Sequence, residues 1–313
     1  MSNQNTSHLL MIRPVAFEMN EQTADDNHYQ DQESGITSWN AQKKALQEFD
    51  SFVIKLRDAG VSVTVIEDSP EPATPDSIFP NNWISLHETG MVVLYPMQAE
   101  NRRTERREDI LDKLKADGFH IREVLDYSAS EDEDMFLEGT GSLVLDRENL
   151  IAYACISQRT HEHLLNDWAE QLGYSVISFN ALQEIDGELL PIYHTNVMMS
   201  VGENIAILCA DCIKDEVERN AVIKALEDSG KTIVYITEEQ KSSFAGNMLQ
   251  VINQKGERLL VMSTQAFESL NQGQIDAIEM TNRILHSSLN TIETLGGGSA
   301  RCMMAEVFLP TNR

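Results

Sequence analysis

Ser142-Leu143-Val144-Leu145-Asp146-Arg147-Glu148-Asn149-Leu150-Ile151-Ala152-Tyr153-Ala154-Cys155 is the stretch whose reading decides the fold. Two apolar runs flank a polar turn, so the segment predicts a hairpin of two short strands. Downstream, Leu164, Leu165, Trp168 and Leu172 recur at three- and four-residue steps, and Gly173 follows. That spacing predicts a helix with one apolar face, ended by glycine. Ser175 to Phe179 then reads as a third strand.

The same unit returns on both sides. Upstream it comprises Trp83 to Leu86, Met91 to Tyr95, a charged helix from about Arg103 to Asp117, Gly118, and the strand His120 to Leu125. Downstream it comprises Val197 to Val201, Ile205 to Cys209, a helix through Val217, Val222 and Leu226, Gly230, and the strand Thr232 to Ile236. A fifth copy reads Met248 to Ile252, Leu259 to Met262, a shorter helix and the strand Ala277 to Met280. Asn82, Gly141, Asn196, Asn247 and Cys302 each precede the first strand of a unit, at a near-constant step of about 55 residues. The helix-ending Gly60, Gly118, Gly173 and Gly230 keep the same step. A repeat of this length signals a solenoid or a closed propeller.

At the start, Leu9 to Ile12 reads as a strand, Ala16 to Gly35 as an acidic polar loop, and residues 1–7 as a loose tail. Ser38 is placed to cap a helix whose apolar face carries Ala45, Phe49, Phe52 and Leu56, and Val61 to Ile66 follows as a strand. The first strand (9–12) lacks a hairpin partner, and so does the last (302–309). Pairing them would close the ring and remove its open edges. The expectation is an α/β protein, a single domain over 1–313 built as a five-membered ring of ββαβ units. The five residues that precede the hairpins would then share a central pocket.

Composition bounds the function. The 313 residues are 42% hydrophobic and 24% charged, as in a soluble globular protein, with a formal net charge of −26. Such a surface repels phosphate backbones and anionic lipid, so neither nucleic acid nor membrane is an expected partner. The N-terminus lacks the basic start and apolar core of a signal peptide, and four cysteines do not form a disulfide framework. These features point to a cytoplasmic protein with reduced thiols. A homo-oligomer is compatible with the sequence.

The polar residues beside the ring markers are Asp76, Asn81, Asn82, Glu138, His194, Asn196, Asn247 and Cys302. Cys302 follows Gly296-Gly297-Gly298, and glycines let the backbone approach a bound molecule. That placement suits a nucleophile, although a buried cysteine after a flexible loop fits it as well. His194 suits general acid/base work, and a carboxylate could orient it. Cys209-Ala210-Asp211-Cys212 has redox or zinc spacing but no second pair, and Cys209 reads as the end of a core strand. The acidic run Glu131 to Asp134 reads as a solvated loop.

Asp76-Ser77-Ile78-Phe79, Leu137-Glu138-Gly139, Arg159-Thr160, His194 and the glycine-rich approach to Cys302 resemble the guanidino-group-modifying enzymes. That superfamily holds arginine deiminase, dimethylarginine hydrolase and the amidinotransferases. The resemblance covers nearly the whole chain and implies a five-bladed α/β propeller, the pentein fold. It implies Cys302 as nucleophile, His194 as general acid/base and Glu138 as the third catalytic member, with no metal and no cofactor. Asp76 would be a substrate-binding acid. Arg103 and Arg159 would clamp the substrate's carboxylate, with Arg102 a competitor for the first place. The superfamily's arginine-processing pattern has acids where Asn82 and Asn196 stand here. A buried guanidinium needs carboxylates, whereas a neutral ureido group needs both donors and acceptors, which asparagine offers. The sequence is most similar to the citrulline-utilisation hydrolases, so the expected reaction is citrulline and water to ornithine, ammonia and carbon dioxide. Asn81, Asn82 and Asn196 would bind the ureido group. Arginine deimination, methylarginine hydrolysis, amidino transfer and a non-catalytic binding role are the alternatives.

Overall fold

The structure, a computed structural model, describes residues 3–24, 26–30, 38–185 and 187–311. Within them lie five three-stranded sheets and one two-stranded ribbon. In chain order the strands are β1 His8–Arg13, β2 Ser62–Glu67, β3 Ile84–Leu86, β4 Met91–Leu94, β5 Glu123–Asp126, β6 Leu143–Asp146, β7 Ile151–Cys155 and β8 Ser175–Phe179. They continue as β9 Leu182–Ile185, β10 Glu188–Pro191, β11 Met199–Val201, β12 Ile205–Leu208, β13 Thr232–Tyr235, β14 Leu249–Ile252, β15 Arg258–Ser263, β16 Arg283–Ser287 and β17 Ala305–Glu306.

Four sheets follow one plan, with orders β3-β4-β5, β6-β7-β8, β11-β12-β13 and β14-β15-β16. In each, an antiparallel hairpin is followed by a parallel strand reached through at least one helix. The fifth has the order β17-β1-β2, so its two ends of the chain meet, with Leu9 opposite Glu306 and Leu10 opposite Ala305. The five sheets remain separate, and none curls into a closed barrel. Contacts join neighbouring sheets, among them a parallel bridge between Leu86 and Val307. Apolar clusters fill the space between strands and helices, with Trp83, Trp168, Tyr95, Phe49 and Phe52 fully buried.

Local chemistry sets the element ends. The helix Glu216–Asp228 starts where Asp215 accepts from the amides of Val217 and Glu218. Gly173 ends the helix Glu162–Leu172 at φ +76°, a left-handed conformation that a side chain would strain.

Several expectations need correction. The segment Ala277 to Met280, expected as a strand, ends the helix Gln272–Glu279 and its cap. Asn271 and Gln274 form a reciprocal capping box there, and the strand is β16. The last strand is not 302–309 but the two residues of β17, with Cys302 in the turn before it. The helix expected from Arg103 is split into a 3-10 turn, Glu100–Glu105, and a helix, Glu108–Ala116. Residues 1 and 2 of the expected tail lie outside the described residues, but Gln4 is buried. Its side chain donates to the carbonyls of Leu145 and Val201 and accepts from the amide of Arg147. Asp25 and residues 31–35 of the expected loop, and the expected Ser38 side-chain cap, also lie outside the described residues. Glu131 is not solvated: it pairs with Arg106 at 2.6 Å and accepts from the amide of Met97. Cys209 and Cys212 are both buried, with sulfurs 3.3 Å apart.

Candidate active site

Asn82, Gly141, Asn196, Asn247 and Cys302 each lie just before an edge strand of a sheet, and the segments that carry them touch one another. Asn82 ends the 3-10 turn Pro80–Asn82 before β3, and Asn196 lies in Thr195–Val197 before β11. Gly141 lies in the short helix Gly139–Ser142 before β6. A Cβ on Gly141 would stand 2.8 Å from the His194 ring and would collide with the Asn82 amide. Only glycine therefore lets these two residues close on the same point.

Glu138 immediately precedes that helix and is fully buried. His194 Nε2 lies 2.8 Å from Glu138 Oε2. Arg159 Nη1 stands 3.5 Å from the same Oε2, while Oε1 accepts from the amide of Gln98 at 3.0 Å. Burial alone would raise the Glu138 carboxyl. The Arg159 guanidinium and the His194 hydrogen bond outweigh it and hold the group down at about 2. Burial lowers His194, and Glu138 only partly offsets it, so the imidazole is neutral at rest. The pair thus offers an ionised acid orienting a neutral base, suited to proton transfer in either direction.

Cys302 is 6% exposed. The side-chain amides of Asn247 and Asn196 donate to its sulfur at 3.2 and 3.4 Å. The Asn247 carbonyl oxygen accepts from the amide of Arg301, which fixes which end of that side chain faces the thiol. Asn196 lies two residues after His194. The same turn therefore carries both the sulfur's partner and the imidazole. The glycine run packs on an aromatic ring: a Cβ on Gly296 or Gly298 would lie 2.8 Å from Phe79. Tyr193 and Asn27 bind the carbonyls of Gly297 and Gly296, so the approach to Cys302 is clasped.

Asp76 is buried and accepts from Asn20 at 2.8 Å through Oδ2. Burial raises its carboxyl, with Arg102 opposing. Asn82 Oδ1 accepts from Arg102 Nη1 at 3.0 Å. Four buried atoms of the expected binding residues make no hydrogen bond among the described residues: Asp76 Oδ1, Asn81 Oδ1, Asn82 Nδ2 and Asn196 Oδ1.

The arginines divide differently from expectation. Arg102 is buried beside Asp76 and Asn82 and is gripped through both Nε and Nη2 by Glu105. Burial pushes the Glu105 carboxyl up to about 7 against that pairing. Arg103 instead turns to the rim, donating to the Met97 carbonyl at 3.1 Å and lying 3.5 Å from Glu131. One step along a 3-10 turn changes the face, so the neighbour takes the inner position. Arg159 is buried, and its fork already holds a carboxylate, that of Asp26, with Nε to Oδ2 at 2.8 Å. Nothing in the sequence marks Asp26, one acid among many in a polar loop.

Glu138 also yields a stability prediction. Its folded value of about 2 lies below the ordinary 4.5, so its contribution is present above 4.5 and lost as pH falls toward 2. The melting-temperature advantage of the wild type over Glu138→Gln should therefore be full at pH 7 and shrink between 4.5 and 2. A gap that stays constant over this range in calorimetry would contradict the ion pairing.

The family model described as N,N dimethylarginine dimethylhydrolase, eukaryotic, matches residues 13–309. No curated protein is significantly similar in sequence. Among solved structures, the chain resembles apo ArgZ, an arginine dihydrolase from the ornithine-ammonia cycle in cyanobacteria. The TM-score is 0.74 at 17% identity, over 97% of this chain and 41% of that one. The chain thus spans about two fifths of that protein. The N-terminal domain of ArgZ bound to product matches at TM-score 0.71 and 18% identity, over 97% of this chain and 99% of the other. A dimethylarginine hydrolase variant from Pseudomonas aeruginosa, complexed with citrulline, matches at TM-score 0.64 and 14% identity, over 98% and 99%.

Proposed function

The chain belongs to the N,N-dimethylarginine dimethylhydrolase family, and from that premise we propose that it is a cysteine hydrolase of a ureido or guanidino amino acid, with citrulline as substrate. In this reading the five sheets are the blades of one five-bladed α/β propeller. Their shared strand plan, and the completion of the first sheet by β17, support it.

One observation carries the substrate choice. The unpaired buried atoms at the site are three acceptors and one donor. A ureido group presents N–H donors and one carbonyl acceptor, whereas a guanidinium presents N–H donors only. The donor, Asn82 Nδ2, would be left facing a guanidinium N–H. Arg102 turns it that way, because its guanidinium can only donate and so takes Asn82 Oδ1. Arg159 suits the substrate's α-carboxylate, a role consistent with its present hold on Asp26.

In this reading the thiol and the imidazole share the chemistry. Cys302 Sγ attacks the ureido carbon, and its proton passes to His194. The tetrahedral oxyanion takes the N–H of Asn82. His194 returns the proton to the departing ammonia, leaving a thiocarbamate on Cys302. Water, losing a proton to His194, adds to that carbon and expels the thiol. The resulting carbamic acid loses carbon dioxide to give ornithine. Glu138 holds the imidazole and offsets its charge when protonated.

Purified protein should release ornithine from citrulline with a kcat/KM at least about tenfold above that for arginine. Asn82→Asp, which places an acid where the unpaired donor stands, should reverse that ratio. Rapid conversion of arginine with inert citrulline would sink the ureido reading. A second reading keeps the same machinery with arginine as substrate. The free Oδ1 of buried Asp76 favours it, since a carboxylate there could meet a cation. Citrulline accumulating transiently from arginine would identify it.

A further inference from the structure

One cavity has a volume of about 420 Å³. It is lined by the loop around Tyr29, by strand β9, and by residues of the helices Glu238–Ser242 and Asn290–Gly296. Glu138, His194 and Cys302 are not among its walls.

The wall is acidic, with Glu184, Glu238, Glu239 and Glu293 against Lys241. Lys241 is already engaged, donating to Gln183 Oε1 at 2.9 Å and to the Tyr29 hydroxyl at 3.0 Å. Glu238 is paired with Lys214 at 2.7 Å. Glu184 and Glu239 stand exposed at the mouth, with no ion pair among the described residues.

Glu293 is 1% exposed. Its Oε1 accepts from Ser299 Oγ at 2.6 Å, while Oε2 makes no hydrogen bond among the described residues. Gln183 is 2% exposed, and its Nε2 is likewise unpaired. A buried carboxylate oxygen without a partner costs stability unless something supplies an N–H. Glu293 belongs to the wall of this cavity, with excess negative charge around it.

We propose that this cavity binds a small organic cation, an alkylammonium or guanidinium, whose N–H groups are taken by Glu293 inside and by Glu184 and Glu239 at the mouth. Gln183 Nε2 is free to meet an oxygen on the same ligand. The site is independent of which substrate Cys302 attacks. Burial pushes the Glu293 carboxyl up to about 7 despite the hydroxyls of Ser299 and nearby Ser263, so a bound cation would also expel its proton.

The probe is putrescine, a short diamine with no carboxylate for Arg159 and no carbonyl or amidine carbon for Cys302. Calorimetric titration of the full chain at pH 7 should show one saturable site. The observed heat should change with the ionisation enthalpy of the buffer, reporting proton release. Glu293→Gln should weaken binding about tenfold or more and abolish the buffer dependence. The surface variant Glu184→Gln/Glu239→Gln, which leaves the core intact, should weaken it several-fold and keep that dependence. Absence of saturable binding to the wild type would overturn the proposal. So would unchanged affinity in the surface variant, which decides the matter even if Glu293→Gln does not fold.

Discussion

Serine in place of Cys302 should lower kcat/KM for the preferred substrate by on the order of 10⁴-fold while leaving the fold unchanged. The two atoms are close in size, and the Asn247 and Asn196 amides can donate to either. What changes is the nucleophile. An alkoxide is far costlier to generate than a thiolate, and a neutral imidazole beside Glu138 is a weak base for the task. Mass spectrometry of wild-type protein quenched during turnover should show an adduct on the peptide containing Cys302, absent from the variant. Retention of more than a tenth of wild-type activity by Cys302→Ser would remove the sulfur from the mechanism.

Glu138→Gln carries the next largest effect. The carboxylate is fully buried and satisfies His194, Arg159 and the amide of Gln98 together. Glutamine brings an N–H that must face one of those donors, and it leaves Arg159 with Asp26 alone. Breaking a buried pair in this way costs roughly 3 kcal/mol. For a chain of this size that is about 5 °C in melting temperature. Turnover should fall by about 10²–10³-fold, because imidazolium loses its counter-charge. A purely structural Glu138 would leave the pH profile alone. Since Glu138 raises His194 against burial, its loss should move the acid limb of that profile to lower pH. An unmoved limb would reduce Glu138 to a packing residue.

The repeat was legible because period-two hairpins and three-to-four-step helices alternate cleanly, and the turn before each hairpin could be numbered from sequence alone. The contacts among Asn82, Gly141, His194, Asn196, Asn247 and Cys302 follow from that register. In the fifth unit the sequence of Ala277, Ile278 and Met280 suits a strand or a helix end equally. The capping pair that decides it, Asn271 and Gln274, is a side-chain contact. Arg102 and Arg103 are adjacent, so only the phase of the 3-10 turn at Glu100–Glu105 separates an inner arginine from an outer one. Asp26 and Asn20 were invisible for another reason. Their partners lie more than fifty positions away, and polar loops carry no periodicity.

The strand that completes the first sheet has a consequence for how the protein comes into being. Thr6 bonds the carbonyl of Val307, 301 positions away. During synthesis, the edge of β1 must wait uncovered while every other sheet can assemble beside it. The cysteine turn and the strand that seals that edge leave the ribosome almost together. A nascent chain therefore gains Cys302 and the cover for β1 together, and any fragment that stops short of that turn holds neither.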